Sequence, residues 1–191
     1  NSLAMVELSK SYLASYQGPQ ALNRAVELDR AVPNEFTVKD AVARAQIAGG
    51  ATTDAAITLK EVNRLAGDDP EHLIYTGRLQ SLIGSNEDAA WSFTKALTVQ
   101  PDNVTARIDL ATSLYRQRKL EDAETEANQV LEREPRSQRG LALLADIRMA
   151  QGRTTDAIEL YRRAQAVADT PQVVVGLHRA LMTTGQQDLA L

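Results

Sequence analysis

The residues that most often do chemistry at neutral pH are sparse in this chain. Cysteine is absent from its 191 residues, which removes disulfides, thiolate zinc sites and a cysteine nucleophile. The two histidines, His72 and His178, lie 106 residues apart, so no local cluster could hold a metal. Neither stands in a serine or carboxylate arrangement that would activate a nucleophile. His72, beside Glu71 at a predicted helix start, reads as a surface residue. His178 falls at a small packing position and reads as an interior or interhelical side chain. The carboxylate pairs Asp68/Asp69 and Glu121/Asp122 fall in turns or first helical turns, where they offset the helix dipole. Gly49-Gly50 reads as a turn, and no G-x-x-x-x-G-K-[ST] loop cradles a phosphate. No catalytic, cofactor-binding or metal-binding residue is expected, and the chain reads as non-enzymatic.

Charges at a fixed spacing suggest binding instead. Lys10, Arg44 and Arg78 recur every 34 residues, and Thr112 and Asp146 continue the series. A basic ladder beside Tyr75 would suit an acidic or polar peptide, since aromatic and arginine side chains anchor interfaces. Further along, Asp109, Thr112, Tyr115, Arg116, Asp146 and Met149 would present a mixed surface. The alternative is plain solvation of an exposed helix face, with Glu7 and Asp40 neutralising the ladder.

The same interval organises the elements that must position these residues. Pro101 and Pro135 are 34 residues apart, and Ala21, Ala55, Ala89, Ala123 and Ala157 follow one another at that spacing. A period between 20 and 50 residues is the signature of a repeat architecture. Each unit carries two stretches with helical spacing. In one, Ile108, Ala111, Leu114 and Tyr115 form the first stripe, and Leu120, Ala123, Ala127, Val130 and Leu131 form the second. Arg116–Lys119 joins them, a connection short enough to make the helices antiparallel neighbours. Gly50, Gly84 and Gly152 suit the left-handed end of a first helix. The hydroxyl or amide residues that follow them could cap the second. Between repeats, Gln100-Pro101-Asp102-Asn103 stops one helix and offers Asp or Asn to cap the next. The recurrent alanines should face the first helix of their own pair, opposite Ala43, Gly77, Ala111 and Ala145, because small residues let helices approach. That explains a composition with 43% hydrophobic but only 4% aromatic residues. A net charge of −4 argues against nucleic acid, and no apolar run is long enough to span a membrane.

These residues resemble a tetratricopeptide-repeat (TPR) protein, whose unit is a 34-residue helix–turn–helix ending in proline. The fourth repeat reads Arg107…Leu110-Ala111…Leu114…Ala123…Ala127…Val130…Pro135, and the third reads Leu73…Gly77…Gly84…Ala89…Phe93…Ala96…Pro101. Gly67 and Asp169 depart from the terminal proline. The resemblance implies an all-α fold, a right-handed α-solenoid (superhelix) of antiparallel helix pairs. It would form a single array over residues 1–191, with repeats 2–35, 36–69, 70–103, 104–137 and 138–170 and a partial repeat 171–191. It also implies a concave groove, lined by first helices, that binds a protein or peptide ligand, and this makes the ten candidate residues above groove residues. The family's clamp on a chaperone tail needs an asparagine where this chain has Glu7, Ala41, Tyr75, Asp109 and Leu143, so that clamp is not expected.

The segment Ala157–Ala164 through Gly176–Leu181 is also similar to the C-terminal repeats of bacterial TPR lipoproteins that accompany exosortase and exopolysaccharide systems. This implies a scaffold in cell-envelope assembly or export, periplasmic or anchored at the outer membrane. The alternatives are a cytoplasmic adaptor or co-chaperone, and the substrate-recognition arm of a larger enzyme. The chain starts at the first position of a repeat and stops just past the small Ala190 of a second helix, so it reads as a piece of a longer array. Its apolar ends (Met5 and Leu8, Leu177 and Leu181) would then favour homodimers.

Overall fold

The computed structural model describes residues 18–185. Among the described residues the regular elements are all α-helices: α1 (Gly18–Ala31), α2 (Phe36–Ala48), α3 (Thr52–Ala66), α4 (Pro70–Leu82), α5 (Asn86–Val99), α6 (Val104–Arg116), α7 (Leu120–Arg133), α8 (Gln138–Ala150), α9 (Thr154–Val167) and α10 (Pro171–Thr183). They fall into two compact units that divide between Gln100 and Pro101. The first holds α1–α5 and the second α6–α10. Within each unit, helices joined by turns of a few residues pack side by side as antiparallel pairs.

Small residues set the spacing. Ala55, Ala89, Ala123 and Ala157, each near the start of a second helix, are completely buried, as are Ala43, Ala111 and Ala145 on the first helices. At Gly77 even a methyl would not fit, since a Cβ there would stand 2.7 Å from Cε1 of Phe93 in α5. The core of the second unit is one continuous cluster running from Ile108 through Ala127, Leu141, Ile147 and Tyr161 to Leu181. In α7 it follows a single stripe of Ala123, Ala127 and Val130, whereas α8 is buried at every position from Gly140 to Ala145.

The turn inside each pair is closed by a recurring set of backbone bonds. At α2–α3, Ala51 N–H donates to Gln46 O at 2.9 Å and Gly50 N–H to Ile47 O at 3.0 Å. Ser85→Gln80 with Gly84→Ser81, Lys119→Leu114 with Arg118→Tyr115, and Arg153→Arg148 with Gly152→Met149 repeat the pattern. This paired bond scheme requires a left-handed residue just past the helix. Gly50, Gly84 and Gly152 supply it with φ of 75–80°, while Arg118 is forced to φ 65°.

Two expectations need correction. The polar residues after these glycines do not cap the second helices: Thr52, Asn86 and Thr154 already lie inside them, and Ala51, Ser85 and Arg153 precede them with no side-chain cap bond. The backbone scheme uses up the turn and leaves no residue free to cap. Side-chain caps occur between pairs instead, where Asp69 accepts from His72 N–H and Asn103 from Ala106 N–H, each at 2.9 Å. Second, His178 is exposed rather than interior. Its position is the one that faces the second helix of its own pair, and no such helix follows α10 among the described residues. The buried residues of α10 are Val173, Gly176, Ala180 and Leu181.

Candidate functional site

The first helices of the second unit, α6, α8 and α10, jointly line a cavity of about 310 Å³. Four of the residues singled out by the 34-residue register meet there: Thr112, Tyr115 and Arg116 from α6 and Asp146 from α8. They converge because positions one repeat apart come to adjacent places on neighbouring first helices. Ile108, Leu143, Arg139 and Gln172 complete the lining. The register did not single these out, although Arg139 and Gln172 stand in the first turns of α8 and α10, where an exposed long polar residue is a usable signal. A second cavity of about 420 Å³ adjoins Asp146 and is lined by Gln172, Val175, Gly176 and Arg179 among others.

The polar side chains of this face are largely tied to one another. Asp146 accepts from the Tyr161 hydroxyl at 2.5 Å and from Arg179 at 2.9 Å. Burial pushes the Tyr161 phenol far above its ordinary range, and the Asp146 bond adds to the shift. The hydrogen bond to Tyr161 likewise raises Arg179. Asp109 lies outside the cavity lining and accepts from Arg139 at 3.3 Å. Met149 is half-buried and packs against the core.

The first unit repeats this device. Tyr75 on α4 donates to Asp40 on α2 at 2.9 Å, and Arg44 stands 4.0 Å from the same carboxylate. Burial, with the Asp40 charge behind it, pushes the Tyr75 phenol up to about 12. In each case a long donor on one first helix reaches an aspartate on the first helix before it: Tyr75 to Asp40, Arg139 to Asp109, Arg179 to Asp146. Arg44 therefore faces a carboxylate on its own helix. Arg78 occupies the equivalent position on α4, and Lys10 lies outside the described residues.

No group of three or more metal-ligating side chains comes together among the described residues. None of their helices is long and apolar enough to cross a membrane.

The family model for the tetratricopeptide repeat matches residues 77–126 and 108–172, which together make up half of the chain. No curated protein sequence gives a significant match. Among solved structures, the fold is shared with PilW, a widely conserved type IV pilus biogenesis factor, at TM-score 0.74 and 16% identity, over 99% of this chain and 88% of that one. It is shared with a tetratricopeptide repeat protein from Parabacteroides merdae at TM-score 0.75 and 17% identity, over 100% and 75%. YrrB, a TPR protein with an unusual peptide-binding site, aligns at TM-score 0.70 and 11% identity, over 97% and 92%. At such identities the likeness concerns the fold. The repeat period, the small-residue helix pairs, the turn scheme and the matching family model together identify the chain as a member of the tetratricopeptide-repeat family.

Proposed function

We propose that this TPR scaffold binds a peptide segment of a partner protein on the first-helix face of its second unit. One observation carries the reading: side chains from three successive first helices, α6, α8 and α10, converge on one cavity that offers both apolar and charged groups. Ile108, Tyr115 and Leu143 supply apolar contact, and Arg116 and Gln172 supply polar contact at the rim. The Asp109–Arg139 and Asp146–Arg179 pairs hold the walls in place, which limits the ordering cost of binding. The mixed lining suits a peptide with an apolar anchor flanked by polar residues.

The envelope-assembly setting implied by the lipoprotein resemblance belongs to this reading as well. The pilus biogenesis role of PilW, a protein of the same fold, is compatible with it. Selection of binders from a random-peptide library against the intact protein tests the site. Tyr115→Ala combined with Arg116→Ala should weaken the selected peptides about tenfold or more, as expected for an aromatic and arginine anchor pair. Peptides that bind the double variant as tightly as the parent would refute the proposed site.

A further inference from the structure

The first unit holds a larger cavity on a different face. It lies between the second helices α3 and α5, above α4, and encloses about 450 Å³. Two of its lining residues, Asn63 and Gln80, are at least nine-tenths buried. Both are held by Ser92, which accepts from Asn63 Nδ2 at 2.6 Å and donates toward Gln80 Oε1 at 2.7 Å. Each amide thereby spends one atom on Ser92. Asn63 Oδ1 and Gln80 Nε2 have no hydrogen-bond partner. A buried polar atom left unpaired is costly, so such atoms ordinarily meet a partner. One leftover acceptor and one leftover donor, on two residues that line the same cavity, complement an amide group, which offers one N–H and one C=O.

The rim is basic and aromatic. Lys60, Arg64 and Lys95 line the cavity against the single carboxylate of Asp88. Lys60 pairs with Asp88 at 3.3 Å, and Arg64 donates to Asn34 Oδ1 at 3.1 Å. Lys95 stands 5.4 Å from the ring centre of Trp91 while reaching Asp68 at 3.1 Å. Trp91 is 54% exposed. A large indole left in water, ringed by excess positive charge, is poor as packing and good as an interface anchor.

We propose that this cleft is a second peptide site that takes an acidic segment of a partner protein. Carboxylates of the segment meet Lys60 and Arg64, an amide of the same segment meets Asn63 and Gln80, and its apolar stem lies on Trp91. The charge balance excludes a basic partner, and the amide-complementary pair favours a peptide over a bare anion. This site is independent of the first-helix cavity of the second unit.

Trp91 is the sole tryptophan of the chain, so its fluorescence reports on the cleft directly. An alternating Glu/Gln octapeptide titrated into the intact protein should produce a saturable change in emission. Lys60→Gln with Arg64→Gln should weaken that binding about tenfold or more, since both lost contacts are charge-assisted. Both residues are exposed, and an unchanged circular dichroism spectrum verifies the fold. Tyr115→Ala with Arg116→Ala should leave the titration unchanged, which separates this site from the one proposed above. Absence of saturation overturns the proposal. So does an equal response to a Lys/Gln octapeptide or to inorganic phosphate, or parental affinity in the Lys60/Arg64 variant.

Discussion

Gly176 in α10 lies so close to the ring of Tyr161 in α9 that a Cβ built on it would stand 2.5 Å from Cε1 and 2.6 Å from Cζ. The ring has no room to yield, because Tyr161 is fully buried and its hydroxyl is tied to Asp146. Gly176→Ala should therefore destabilise the protein by about 1–3 kcal/mol, the usual cost of overpacking a core. This holds even though alanine is the better helix former by about 1 kcal/mol. Urea denaturation monitored by circular dichroism measures the difference. A neutral or stabilising result would mean that α10 slides outward freely.

Arg118 offers the opposite case. It holds φ at 65° in the turn between α6 and α7, where the equivalent turns place Gly50, Gly84 and Gly152. A left-handed conformation costs an L-residue about 1–2 kcal/mol, while glycine's extra freedom in the unfolded chain returns part of that gain. Arg118→Gly should stabilise the protein by about 0.5–1 kcal/mol, read as a rise in the denaturation midpoint without a change in slope. A fall in the midpoint would show that the arginine side chain contributes more than its backbone costs.

The helix pairs were readable in the sequence because they rest on strong local rules. Pro101 and Pro135 mark the boundaries between repeats, glycine at Gly50, Gly84 and Gly152 closes first helices, and buried alanines recur at one interval. The side-chain pairing was less readable. Asp109 stands in the candidate groove by register but is tied to Arg139, because the aspartates and their donors occupy different positions along their helices, and the period alone does not say which donor meets which aspartate. His178 illustrates the same point: its repeat position implies burial, yet burial requires a second-helix partner that the described residues do not provide. Thr112, Tyr115, Arg116 and Asp146 are traceable through the register, whereas Arg139 and Gln172 are marked only as long polar residues in first helical turns, and their place in the lining comes from tertiary packing. The Asn63–Ser92–Gln80 cluster follows no period and had no signal in the sequence.

Acid should expose one ion pair in particular. Glu124 in α7 accepts from Gln151, the C-cap residue of α8, at 2.7 Å and pairs with Arg148 of α8 at 2.5 Å. Burial pushes its carboxyl up, but the bonds from Gln151 and Arg148 outweigh burial and hold it below the ordinary carboxylate value of 4.5. A carboxyl lowered by folding contributes stability that is fully present above its unfolded value and fades as pH falls through the folded one. Glu124→Gln should thus cost about 1 kcal/mol at neutral pH, modest because the pair is partly solvated. The gap between variant and parent should shrink below pH 4.5 and close under more acid conditions. Parallel denaturation curves at pH 7 and at successively lower pH check this, and a gap that persists unchanged into strong acid would contradict it.

The buried amide cluster of the first unit gives the last expectation. Ser92 is completely buried and joins Asn63 to Gln80, its one hydroxyl proton shared between Gln80 Oε1 at 2.7 Å and the Asp88 carbonyl at 2.9 Å. Ser92→Ala removes the shared partner and leaves Asn63 Nδ2 and Gln80 Oε1 unpaired, in addition to the atoms already without partners. Each newly orphaned group costs about 1–3 kcal/mol. The gain in helix propensity from alanine recovers only a few tenths of a kcal/mol. The variant should lose about 2 kcal/mol or more, measured by urea denaturation. Replacing Asn63 and Gln80 with leucine in the Ser92→Ala background should restore most of that loss, because an apolar cluster of similar volume leaves no polar atom stranded. If the triple variant is no more stable than Ser92→Ala alone, the loss comes from packing around Ser92 rather than from unpaired amides.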